Sequence, residues 1–260
     1  ELPRGVDRLM AVQSDLSGPQ QDAAFDGYLT GYPLPSLSIY VLSRTWFAHE
    51  HRRPGCVWTH SLLIPFNELD HLPILAVARH LFRRPDINEP ILEFYSTESI
   101  IDVRLDETLI IGPVVARDYA ETLIEALYSS NEPLFAAGVS AAEWEPVILS
   151  LWAMHWPRLK RQFSFSTGSL ANRSVDGAKF DLQIGPHQVA RQMKRTEVQV
   201  LIGPIMPITS GWVHSVAECV AAPWRRQQLE IFVNNNCRGF PAARNLFPIA
   251  VSASESGSRI

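Results

Sequence analysis

Three histidines and a cysteine lie within twelve residues of one another: His49, His51, Cys56 and His60. They belong to residues 42–64, LSRTWFAHEHRRPGCVWTHSLLI, with Glu50, Arg52 and Arg53 among them. Such residue types hold metals or act as nucleophile and base. His49 and His51 are two apart, so in an extended chain they share a face, as ligand pairs on strands do. His60 supplies a third ligand if the chain turns back on itself. Cys56 and His60 suggest a thiolate–imidazole dyad, which needs a separation of about 3 Å. Four residues of strand span about 13 Å, so one strand cannot assemble it. The charges around His49 and His51 read better as a solvated loop. His60, beside Trp58 and Leu62, reads as a hydrogen-bonded, half-buried imidazole.

Other segments offer weaker chemistry. Residues 165–169, FSTGS, place a glycine after a strand, with Arg158, Lys160 and Arg161 just upstream. A phosphate cradle of known type needs GxxxxGK[ST] or GxGxxG, and neither is present. The serine-hydrolase signatures GxSxG and SxxK are missing too. Arg191, Lys194 and Arg195 form a basic cluster, but a net charge of −4 recruits no nucleic acid. Cys56, Cys219 and Cys237 are odd in number and lack a CxxC pair, which points to idle thiols in a reducing compartment. A Cys219–Cys237 disulfide or a shared metal is the lesser alternative. Seven tryptophans and an arginine-rich loop fit protein contact best. Glu50, His51, Arg52 and Arg53 form the candidate contact face, with Trp46 and Trp58 stiffening the stem. At least four of the tryptophans are expected in the core.

The elements that must position these residues follow from periodicity. Residues 38–46 and 56–64 are rich in β-branched and aromatic types and read as strands. Residues 47–55 make a long loop between them. The preceding DGYLTGYPLP, with glycine and proline at short spacing, reads as a turn-rich lead-in. Asn67 is the expected cap of a helix running toward Pro85, with Pro73 in its first turns. Residues 91–95 and 109–111 are expected strands. Residues 114–128 repeat apolar side chains every fourth position, as a helix does. Residues 133–137 form a short apolar strand. Ser140 and Glu143 make a capping box ahead of a helix carrying Trp144, Ile148 and Trp152, which Pro157 kinks or ends. Residues 163–167 and 180–184 read as a strand pair. Residues 186–196 form a surface helix or linker, 197–203 a strand, and 212–233 a helix broken at Pro223. The end, SASESGSRI, reads as frayed.

Composition sets the frame. The chain has 260 residues, 46% hydrophobic and 19% charged, as ordinary globular proteins have. No apolar run reaches the roughly 20 residues needed to cross a bilayer. The opening ELPRGVDRL is no signal peptide. It lacks an initiator methionine, which suggests a fragment or a processed chain. These features predict an α+β protein, a mixed or antiparallel sheet covered by helices, in the cytoplasm.

Residues 42–64, together with LWAMHWPRLKRQFSFSTGSLANRS at 151–174 and FDLQIGP at 180–186, resemble the N-terminal domain of bacterial GTPase-associated proteins. RPGCVWTH and WPRLKRQFSFSTG carry the likeness, the latter set beside the family's W-P-x-L-R-x-x-F-S-F-x-T-G run. The opening GVDRLMAVQSDLS resembles the family's first strand, with Asp7 where the family has histidine, so no role for that histidine transfers. The likeness implies one domain over 1–186 and a helical extension, the start of a following domain, over 187–260. It also implies a partner protein, foremost a GTPase or a defence effector, in a bacterial conflict or antiphage system. No catalytic residue, metal or cofactor comes with it. A non-enzymatic adaptor is the preferred reading. The rivals are a hydrolase or nuclease-like effector gathering His49, His51 or His60 with Glu93 or Asp102, and a scaffold subunit. Neither a membrane nor nucleic acid is an expected partner.

Overall fold

The structure, a computed structural model, describes residues 5–14, 22–50, 55–84, 115–204 and 208–257. Strand β1 (Tyr28–Leu34) occupies the stretch expected to be turns. It pairs antiparallel with β2 (Ile39–Phe47), which pairs antiparallel with β3 (Val57–Pro65). Four further strands are parallel to one another: β4 (Leu134–Gly138), β5 (Phe165–Ser166), β8 (Leu182–Pro186) and β9 (Gln199–Leu201). A separate small hairpin joins β6 (Ser174–Val175) to β7 (Ala178–Lys179). The main sheet has the order β3-β2-β1-β5-β8-β4-β9 and is mixed, and the fold is α+β. The division expected between 1–186 and 187–260 falls between β8 and β9 of this one sheet.

The antiparallel and parallel halves meet where β1 touches β5. Two residue pairs make the junction, Thr30 with Ser166 and Gly31 with Phe165. Gly31 is required there because a Cβ would lie 2.5 Å from the Phe165 ring and 2.7 Å from the Tyr40 hydroxyl. Pro33 is tolerated in β1 because it falls beyond the two pairs that join β1 to β5. Glycine and proline in this stretch therefore mark a close approach rather than a turn.

One face of the sheet carries the main core. Helices α3 (Ile74–His80), α4 (Arg117–Ser129), α5 (Ala141–Ala153), α8 (Gly211–Ala221), α9 (Pro223–Asn236) and α10 (Phe247–Ser256) contribute to it. Ser140 caps α5 by accepting from the Glu143 backbone N–H. Pro157 opens α6 (Pro157–Gln162) at its first turn, where its missing N–H costs nothing. Trp144, Trp152 and Trp156 are fully buried. Trp46, Trp58 and Trp212 are half-buried and Trp224 is 59% exposed, so fewer tryptophans lie deep than expected.

The other face is partly polar. Ser61, Ser43, Thr30, Ser166 and Gln183 lie side by side across five adjacent strands. The Ser43 and Ser61 hydroxyls pair at 2.7 Å, and Thr45 with Thr59 at 2.9 Å. Helix α1 (Val6–Ser14) packs against this face, with α7 (Ala190–Met193) further along. The opening segment is thus a helix and not the expected strand. Val6, Leu9, Met10 and Gln13 fall on one helical stripe, the spacing that decides the matter.

Three smaller expectations also give way. Asn67 lies inside α2 (Phe66–Leu69), whose cap position is Pro65, and Pro73 separates α2 from α3. The end is not frayed over 252–256, because Phe247, Ala250 and Val251 anchor α10 in the core. The strands expected at 91–95 and 109–111 lie outside the described residues.

Gly31→Ala forces a methyl group into the β1–β5 junction. The expected cost is about 1–3 kcal/mol, the usual range for overpacking a filled core. Urea unfolding of wild type and variant measures it, and an unchanged midpoint would contradict the tight junction.

Candidate protein interface

The hairpin of β2 and β3 sits at the sheet edge. Trp46 stands directly opposite Trp58, and Arg44 opposite His60. Beyond the last strand pair, the Ala48 N–H donates to the Cys56 carbonyl at 2.9 Å. The ladder therefore runs further than expected and shortens the loop. Gly55, at φ +83°, turns the chain back. The His49 ring meets the Phe47 ring edge-on at 5.7 Å.

Glu50 is a clasp. Its carboxylate accepts from the Trp58 indole N–H at 2.7 Å and from the Arg84 guanidinium at 2.7 Å. Arg84 also donates to the Phe47 carbonyl at 3.0 Å. A bond to its own backbone N–H, then the Trp58 indole, then Arg84, hold the Glu50 carboxyl down to about 2. His51, Arg52 and Arg53 lie outside the described residues.

The base of the hairpin is fixed more deeply. Arg44 makes a two-pronged ion pair with Glu145 of α5, at 2.5 and 3.0 Å. It also donates to the Gly27 carbonyl at 2.9 Å and the Ala78 carbonyl at 3.1 Å. Its guanidinium lies 5.4 Å from the Phe82 ring centre. Phe82 meets the His60 ring edge-on at 5.7 Å. The Arg83 N–H donates to His60 Nδ1 at 3.1 Å. Burial first, and then the Arg83 charge, lower the His60 pKa. An accepting Nδ1 is unprotonated, so the ring is held neutral at that atom.

Among the described residues the catalytic candidates do not assemble. Among the described residues no group of three or more His, Cys, Asp or Glu side chains could hold a metal ion. His49 lies beyond the last β2–β3 pair, whereas His60 faces Arg44 inside the ladder. Glu93 and Asp102 lie outside the described residues. The three thiols are free, and burial pushes Cys219 up to about 11 and raises Cys237. FSTGS is no anion cradle. The Thr167 hydroxyl accepts from the Leu29 N–H at 2.8 Å, and Ser166, Thr167 and Ser169 are fully buried. Lys160 is buried and Arg161 pairs with Asp70, so only Arg158 of that basic trio stays exposed. Arg191, Lys194 and Arg195 are exposed on and just after α7.

The arrangement is a braced strand pair at the sheet edge, β2 largely buried and β3 mostly half-buried. Residues 1–82 match GTPase-associated protein 1, N-terminal domain type 1. This is the domain the sequence resembled, but the match ends before the resembling segments at 151–174 and 180–186; it holds α1, β1–β3, α2 and α3, the whole antiparallel half of the sheet. No curated protein and no solved structure matches the chain. No helix among the described residues is long and apolar enough to cross a membrane. Sequence reasoning missed Arg44, Phe82, Arg83, Arg84 and Glu145. Their partners lie between 17 and 101 residues away, where no local pattern reaches.

The depressed Glu50 pKa sets a pH window. A carboxylate held below its ordinary value of 4.5 stabilises the fold above that pH and loses its effect as pH falls toward 2. A stability difference between wild type and Glu50→Gln should be present near about pH 6 and close between 4.5 and 2. Urea unfolding at several pH values measures it, and a difference that persists at the acid end would refute the clasp. Arg44→Met leaves Glu145 half-buried without its partner. The expected loss is about 2 kcal/mol, below the range for fully buried pairs because both side chains retain some exposure. Thermal unfolding checks it.

Proposed function

We propose that this protein is a non-enzymatic adaptor that binds a partner protein, a GTPase, in a bacterial conflict or antiphage defence system. The observation that carries the reading is the match of residues 1–82 to a GTPase-associated domain that contains the whole braced hairpin. A hairpin clasped through Glu50, Trp58 and Arg84 loses little further freedom on binding, which favours its use as a contact element. The proposed contact face is Glu50, His51, Arg52 and Arg53, presented by the Trp46–Trp58 stem. Glu50 holds the stem while the arginines supply charge-assisted bonds to partner carboxylates. This reading needs no metal or cofactor.

The affinity-tagged chain, recovered from its native host, is expected to bring down GTP-hydrolysing activity. Arg52→Ala with Arg53→Ala should cut that activity about tenfold, a loss of about 1.4 kcal/mol in binding. Melting temperature should not change, because the role proposed for the two arginines lies in binding the partner and not in the fold. Undiminished capture by the double variant would exclude the hairpin end as the contact face.

A further inference from the structure

The polar side of the sheet is covered thinly by α1. The helix has nine residues, and only Gln13 is fully buried. Val6, Leu9 and Met10 pack half-buried on Tyr32, Leu34, Val41, Val175 and Phe180, a cluster separate from the main core. Val12 remains 58% exposed. A helix this short has little stability of its own, so its fixings decide whether it stays.

Those fixings are polar and gather at its C-terminal end. Gln13 Nε2 donates to the Ser174 carbonyl at 2.6 Å. The Arg173 guanidinium donates to the Gln13 carbonyl, and the Tyr28 hydroxyl donates to the Ser14 carbonyl at 3.3 Å. The floor beneath is not an apolar seat throughout. Thr30 lies between Tyr28 and Tyr32 on one strand face, and its buried hydroxyl has no hydrogen-bond partner. Arg173 is a cation only 6% exposed. Covering such groups is costly and uncovering them returns water to them. Lifting α1 therefore opens a satellite cluster, rehydrates polar groups and leaves the main core shut.

The helix also defines what its seat accepts: an amphipathic helix with apolar residues at i, i+3 and i+4, whose last carbonyls meet Arg173. We propose that α1 is a displaceable cover, and that a helix of the partner protein takes its seat, so that release of α1 gates partner capture. The gating rests on the adaptor reading above, whereas the lifting of α1 does not.

The test uses the full chain. Gln13→Cys and Ser174→Cys, in a Cys56→Ser background, are joined by a short bis-maleimide. The same variant without cross-linker is the control. Hydrogen exchange is expected to be at least about tenfold faster at α1 amides than at β1 and β2 amides in the wild-type chain, and the cross-link should remove the difference. The cross-linked chain should bring down about fivefold less GTP-hydrolysing activity than the control. Leu9→Ala, which loosens α1 and spares the main core, should shift both readouts the opposite way. Equal exchange at α1 and β1 in the wild-type chain overturns the cover. Equal capture by locked and unlocked chains overturns the gating. If neither chain retrieves a GTPase, the adaptor reading and its gating fall, and exchange alone decides whether α1 lifts.

Discussion

The fold depends on one narrow contact, the junction of β1 with β5. The Leu29 and Thr167 backbones extend it by one step, since the Thr167 N–H donates to the Leu29 carbonyl at 2.8 Å. Tyr40 spans it from the side, its hydroxyl donating to the Phe163 carbonyl at 2.6 Å. Trp152 of α5 packs on Tyr40 at 4.6 Å and on Phe165 at 5.5 Å, one ring from each half of the sheet. Its indole N–H donates to the Lys160 carbonyl at 2.9 Å, so the ring is oriented as well as buried. A Cβ at position 31 would press on the Phe165 ring and the Tyr40 hydroxyl where the two half-sheets meet.

The hairpin inherits its rigidity from this arrangement. Arg44 ties its base to α5, the helix that clamps the junction, and Glu50 ties its outer end to the chain after α3. Two of the partners, Glu145 and Arg84, lie outside the residues that match the GTPase-associated domain. The matched segment therefore braces its own hairpin only in part, through Gly27, Ala78, Phe82 and the Glu50–Trp58 bond. The rest of the chain supplies both ion pairs, and it holds further buried polar contacts: Tyr128 bonds His155 Nε2 at 2.7 Å beneath Phe247, and burial drives that imidazole to stay neutral.

How much of this was legible depended on whether the cause was local. β2, β3, α4 and α5 announce themselves through alternation, four-residue repeats and the Ser140 cap, because each signal lies within the element. β1 does not, since Gly31 and Pro33 answer to Phe165 and to the limits of β5, far along the chain. α1 was misread through a family likeness although its own apolar spacing is helical. The C-terminal helix was misread because small polar residues dilute its buried stripe. At the hairpin, the Trp46–Trp58 stem follows from strand pairing. The clasp of Glu50 does not, because its partner Arg84 is 34 residues distant and charge alone made Glu50 look solvated.

The narrow junction also fixes an order of events during synthesis. β1, β2 and β3 are neighbours in sequence and their pairing can form as soon as they leave the ribosome, whereas Thr30 waits for Ser166, which follows 136 residues later (166 − 30). At translation rates of about 5–20 residues per second, that wait is about 7–27 s. Throughout it, β1 presents an unpaired strand edge and β5 does not yet exist to close it. The antiparallel half alone, residues 1–82, keeps that edge permanently. Such an open edge is a template on which another strand can pair.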